Sequence, residues 1–153
     1  MNMSLSVPEW HRIAMEGTAP PVRILLNGCS MDPLIRRNRD FVTIAATDQE
    51  LVPGDIVLFA VPDVERYVVH RVWKIQDGQV LTWGDNCGEP DGWLPKEAIW
   101  GRVVLIERGK REIRPDPVKG IRWARFWHEA RKGYHLYRIC RDGITRGFKK
   151  IFR

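Results

Sequence analysis

The chain has 153 residues, 44% hydrophobic and 29% charged, with a formal net charge of +6; that length supplies one core of ordinary size and excludes a second catalytic domain. Three cysteines, Cys29, Cys87 and Cys140, form no CxxC pair, which argues against a disulfide framework or structural zinc site and for a reducing compartment, with no metal or cofactor expected. No run nears the roughly 18 apolar residues of a membrane span, and the N-terminus lacks the apolar core of a signal peptide, so a cytoplasmic chain is expected, at most peripheral at a membrane.

Residues 1–21 read as an N-terminal segment without strand patterning. Over residues 22–109, short apolar and β-branched runs alternate with turn residues: VRILLNG, DFVTIAA, GDIVLFAV, RYVVHRVWKI, QVLTWGD and AIWGRVVLIERG. Such runs predict a mainly β domain. Pro53-Gly54 marks a turn, and Asp77-Gly78 a tight hairpin between the strands on either side. Pro115, Asp116 and Pro117 end the series, because proline cannot donate to a strand ladder. Residues 110–117 therefore read as a linker.

Residues 118–153 read as a basic amphipathic helical tail. Trp123, Trp127, Ala130, Tyr134, Tyr137, Cys140, Ile144, Phe148 and Ile151 recur every three or four positions, while Lys and Arg dominate the others; this is one apolar helix face. Gly133, Gly143 and Gly147 each cost about 1 kcal/mol relative to Ala, so two or three short helices are expected rather than one rod. Residues 108–153 hold fifteen Lys/Arg against four Asp/Glu, whereas residues 1–107 hold ten against fifteen. The tail is expected either to pack on the β body or to contact an anionic membrane surface, which a basic face with Trp and Tyr suits.

The chemistry centres on NGCSMDPLI, residues 27–35. A serine among Gly, Asn and Pro is ordinary loop composition, and its hydroxyl is a nucleophile only beside a base. His70, on the apolar run RYVVHRVWKI, accepts a proton near neutral pH, where Lys or Arg would need a large shift. Fifteen residues on, the loop WGDNCGEPDGW holds Asp85 and Asp91. Either carboxylate could fix the imidazole tautomer and stabilise the imidazolium. Cys29 reads as a packing residue; His11, His128 and His135 have no metal-ligand spacing and no role.

Five segments in order carry a resemblance. GCSMDPLI is similar to the Ser-Met-x-Pro box of type I signal peptidases and the wider superfamily that includes LexA-like self-cleaving repressors. LVPGDIVLF resembles that family's GDIV strand, VVHRV its HR strand, WGDNCGEPD its GDN box, and IWGRVV the strand after it. The histidine in HR resembles the endoplasmic-reticulum and SipW-like branch rather than the lysine-base branches. The resemblance implies a signal-peptidase/LexA-like β-fold, with Ser30 as nucleophile, His70 as general base, Asp91 completing a triad and Asp85 supporting it. Gly84 and Asn86 match the same box and imply loop shape. The Ser30 backbone N–H is the implied oxyanion donor. Gly28 stands where many signal peptidases carry a second serine donor, so that half of the oxyanion hole departs from the pattern. Met31 and Pro33 imply packing below the cleft and a fixed turn.

The expected function is a serine endopeptidase acting on a protein or peptide precursor, with small residues favoured before the cut as the resemblance implies. The alternative is a non-catalytic or self-cleaving regulatory module of the same fold, binding anionic lipid or nucleic acid through its tail. Nucleic acid is the less expected partner: no helix-turn-helix pattern precedes the β body.

Overall fold

The computed structural model describes residues 6–17, 19–47, 50–61 and 66–132. The fold is mainly β: eight antiparallel strands, β1 (Val22–Leu25), β2 (Phe41–Ala46), β3 (Ile56–Val61), β4 (Arg66–Gln76), β5 (Gln79–Trp83), β6 (Gly92–Pro95), β7 (Ile99–Arg108) and β8 (Arg111–Ile113). Their order is β1-β2-β7-β3-β4-β5-β6, with β8 paired to β7. A helix α1 (Val7–Met15) precedes the sheet. A second helix, α2, occupies residues 117–132.

Alternation along β3 explains how one sheet organises two cores. Ile56 and Leu58 join Trp10, Met31, Ile35, Val42, Ile44, Val69, Val103 and Ile106. Val57 and Phe59, pointing the other way, join Leu51, Val72, Val80 and Ile99. Successive strand side chains face opposite sides of the sheet, so a continuous apolar run marks a strand covered on both. The Asp77-Gly78 hairpin forms as the sequence predicts, with φ of 51° and 75°, the left-handed pair required by a type I′ turn.

Three segments differ from the sequence reading. Residues 7–15 of the N-terminal segment form α1, started by a reciprocal capping box between Ser6 and Glu9. Its Trp10 is fully buried and donates its indole N–H to Pro20 O at 2.7 Å. Gly101 leaves the space this indole needs: a Cβ there would stand 2.8 Å from the Trp10 ring and 2.6 Å from Ile44. Residues 110–117, expected as a linker, contribute β8 and the first residue of α2. The helix itself buries Ile121, Ala124 and His128, not the Trp123, Trp127, Ala130 stripe, leaving Trp123 36% exposed. Apolar residues surround this helix, so periodicity alone did not choose the packed side. The expectations for residues 133–153, including Cys140 and His135, lie outside the described residues. Among the described residues no helix is long and apolar enough to cross a membrane.

Strand β4 positions the site by changing partner midway. Residues 66–71 pair with β3, and residues 71–76 with β5. Among the described residues, 66–70 therefore keep one open edge, and β1, paired only to β2, keeps another. Between them lies a cleft of about 620 Å³ lined by residues 24–28, 66–70, Val7, Ser30 and Met31.

Candidate active site

Ser30 opens the turn that leaves the cleft wall after β1, and His70 lies on the open-edged half of β4; both line the cleft. Met31 is 2% exposed and anchors this turn in the core. The following Asp32–Pro33 peptide is cis. The Ser30 amide donates to no group among the described residues.

His70 is 5% exposed. Its Nδ1 lies 2.7 Å from Asp91 Oδ2, and that same oxygen accepts the Thr82 hydroxyl at 2.8 Å. Asp91 is held by its own N–H donating to Thr82 O at 2.9 Å. With Nδ1 donating to the carboxylate, the tautomer assigned by this contact leaves the Nε2 lone pair free to take a proton. Nε2 faces Cys87 Sγ at 4.0 Å. Ser30 Oγ makes no hydrogen bond to it among the described residues; such contacts are commonly long in unliganded sites and tighten around substrate.

The turn 84–87 fixes serine and histidine relative to one another. Asn86 N donates to Ser30 O at 2.7 Å, and Asn86 Nδ2 to Cys29 O at 3.0 Å. Gly84 is required by close approach: a Cβ there would stand 2.6 Å from Cys87 Sγ, 2.8 Å from Ser30 O and 2.9 Å from His70 Nε2. Burial, and then the Asp91 charge, pushes the Cys87 thiol up. It therefore remains a protonated wall of the site and does not compete as a thiolate.

Asp85 is fully buried and lies apart from the His70–Asp91 contact. It takes a two-pronged ion pair from Arg71, Nε to Oδ1 at 2.8 Å and Nη2 to Oδ2 at 2.7 Å. Arg71 Nη1 donates to Gly54 O at 2.9 Å. Helix α2 closes over this pair: a Cβ on Gly120 would lie 2.5 Å from Arg71 Nη1, and Arg131 reaches Asp85 O at 3.4 Å. His128 lies against Trp83, ring centres 4.2 Å apart, and against Trp73 at 5.1 Å. Its pKa is lowered, chiefly by burial, so it packs as a neutral ring.

The structure thus places Ser30 and His70 on one cleft, with Asp91 against His70, and pairs Asp85 with Arg71 instead. Gly28 lies on the cleft wall, where an added Cβ would meet only Ser30 Oγ, at 3.9 Å. The sequence reading passed over Thr82, whose signal is a polar residue at an inward position of β5, in register with buried Val80. It gave Asn86 only loop shape, and Asp40 no role. Asp40 is fully buried, accepts from Arg36 N at 2.9 Å and pairs with Arg108 at 2.6 Å.

The chain is 30% identical over 104 residues to proteins described as signal peptidase complex catalytic subunit SEC11C from dog, Sumatran orangutan and human. The match covers 60% of this chain and 54% of each relative, so the chain spans about half the length of the curated relatives it matches. No family model matches the chain.

Proposed function

We propose that the chain is a signal-peptidase-like serine endopeptidase in which Ser30 is the nucleophile, His70 the general base and Asp91 the carboxylate that orients it. The observation that carries this reading is the contact of Asp91 with His70 Nδ1, which leaves Nε2 and Ser30 on one cleft between two open strand edges. Open edges offer unpaired N–H and C=O groups, so an extended peptide can add as a strand beside either. The similarity to signal peptidase catalytic subunits supports the same reading.

In the mechanism that follows, Ser30 Oγ attacks the carbonyl carbon of the scissile bond while His70 Nε2 takes the hydroxyl proton. Charge moves onto the carbonyl oxygen, which the Ser30 N–H stabilises. Asp91 holds the imidazolium through Nδ1, and Thr82 holds Asp91. His70 then gives the proton to the leaving amine, which departs and leaves the acyl group on Ser30. Water attacks that ester as His70 takes one of its protons, and the proton returns to Ser30 when the new carboxyl terminus leaves. Asp85 does not touch the histidine in this scheme. Its pairing with Arg71 holds the turn that positions the serine.

Labelling with a serine-directed phosphonate probe, read by mass spectrometry of the modified peptide, tests the proposal without knowledge of the substrate. Adduct on Ser30, abolished in Ser30→Ala and His70→Ala, is the expected result. A folded wild type that takes no adduct would overturn the peptidase reading in favour of a non-catalytic module.

A further inference from the structure

The outward side of α2 has no part in the site. With Ile121, Ala124 and His128 turned inward, residues 119, 122, 123 and 126 fall on the opposite side of the helix and Val118 on its flank in the first turn. Val118 is 66% exposed and Phe126 70%, on a helix that already has a buried face. Lys119 and Arg122 lie between them along the helix; Lys119 also makes an exposed pair with Asp116 at 3.5 Å, and Arg125 lies over the Trp73 ring, 5.9 Å from its centre. The helix's acidic residue, Glu129, is already paired with Lys132 at 2.8 Å. Beside Trp123, a crevice of about 250 Å³ is lined by Leu34 and Ile113 and edged by Arg114, Asp116 and Lys119.

We propose that this face of α2 docks on an anionic lipid surface. Val118 and Phe126 enter the acyl boundary, Trp123 lies at the level of the headgroups, and Lys119 and Arg122 meet lipid phosphates. Apolar and cationic side chains on one exposed face are the combination that interfacial helices use, since each term alone gives weak attachment. A nucleic-acid surface would satisfy the cations but offers nothing to an exposed Val118, because single-strand binding rests on aromatic stacking and backbone charge. A second copy would bring like charges together. Docking needs neither Ser30 nor His70 and stands apart from the peptidase reading. It would nonetheless hold the cleft at a defined height above the bilayer, since the inward side of α2 touches the catalytic turn through Arg131 and Asp85.

Flotation of the full chain with vesicles of equimolar phosphatidylcholine and phosphatidylglycerol tests this, against vesicles of phosphatidylcholine alone and a double-stranded DNA competitor. Co-flotation with the anionic vesicles only is expected. Val118→Ser with Phe126→Ser should weaken partition about tenfold or more, and Lys119→Glu with Arg122→Glu about tenfold, on anionic vesicles. All four side chains are exposed, and an unchanged melting temperature will show that the fold is intact. Recovery in the soluble fraction with both vesicle types would overturn the proposal, as would equal flotation of wild type and both double variants. DNA that displaces the vesicles, with an affinity untouched by Phe126→Ser, would assign the face to nucleic acid instead.

Discussion

Gly28 offers a gain-of-function test of the proposed oxyanion hole. In the reading above only the Ser30 N–H stabilises the developing oxyanion, and the side chain at position 28 is a hydrogen. A Cβ built there would approach only Ser30 Oγ, at 3.9 Å, with φ outside the left-handed region, so a serine enters without displacing a neighbour. A donor correctly aimed at an oxyanion is worth on the order of 100 to 1000-fold in rate. Gly28→Ser should therefore speed phosphonate labelling of Ser30 towards about 100-fold, because the phosphonyl oxygen occupies the same hole. Gly28→Ala adds the same carbon without a donor and should leave the rate near that of wild type. Equal second-order labelling rates for the Ser and Ala variants, both folded, would refute the reasoning, since the hydroxyl would then have no oxyanion to meet.

The two aspartates should fail in different ways. Asp91→Asn should cost on the order of 10,000-fold in labelling rate, through the wrong imidazole tautomer, with little change in melting temperature. Asp85→Asn leaves the Arg71 charge buried without its partner and should cost about 3 kcal/mol or more in a denaturant titration. Gly84→Ala should lower labelling about 100-fold, because Ser30 O and His70 Nε2 must both move; a rate close to wild type would show that the turn does not position them. Burial opposes ionisation of Asp40, but the Arg108 and Arg36 contacts outweigh it and hold its pKa below the usual carboxylate value. That stability is present above the unfolded-state pKa and is lost as pH falls through the lower folded one. Asp40→Asn should therefore lower the melting temperature at neutral pH by about 10 °C, and the gap from wild type should close in acid; a constant gap would count against the pairing.

Much of the β body was legible because a strand writes its burial at period two, and the Asp-Gly turn demands its own backbone. Helix α1 was not, although Ser6, Pro8 and Glu9 spell a helix start; two turns of helix carry too few apolar repeats to stand out. Strand β6 lay hidden at the end of WGDNCGEPDGW and the two residues after it, where the preceding glycines and proline read as loop, and its strand character comes from pairing with β5. The packed side of α2 depended on where Arg71, Trp73 and Trp83 lie, which is tertiary information. Thr82 shows the reverse case: its inward phase was present in the sequence, but its partner, Asp91, is nine residues away in the loop just before the returning strand β6.

The division of labour between Asp85 and Asp91 follows from the HR dipeptide itself. Adjacent residues on a strand point to opposite faces, so His70 and Arg71 cannot share one carboxylate without breaking β4. One chain segment must therefore supply two, and the loop between β5 and β6 does so. Its first turn sends Asp85 under the sheet to Arg71, and its return brings Asp91 back along Thr82 to His70. The buried ion pair is costly to desolvate, and a hydrophobic pair of similar volume would often be as stable. What the pair provides is a fixed origin for the turn: Gly84 passes against His70 and Asn86 clamps the Ser30 backbone. On this argument Arg71→Met with Asp85→Leu can recover stability while leaving the turn free to drift. Labelling of Ser30 should then stay low in the stable double variant, and full labelling there would show that packing alone positions the serine.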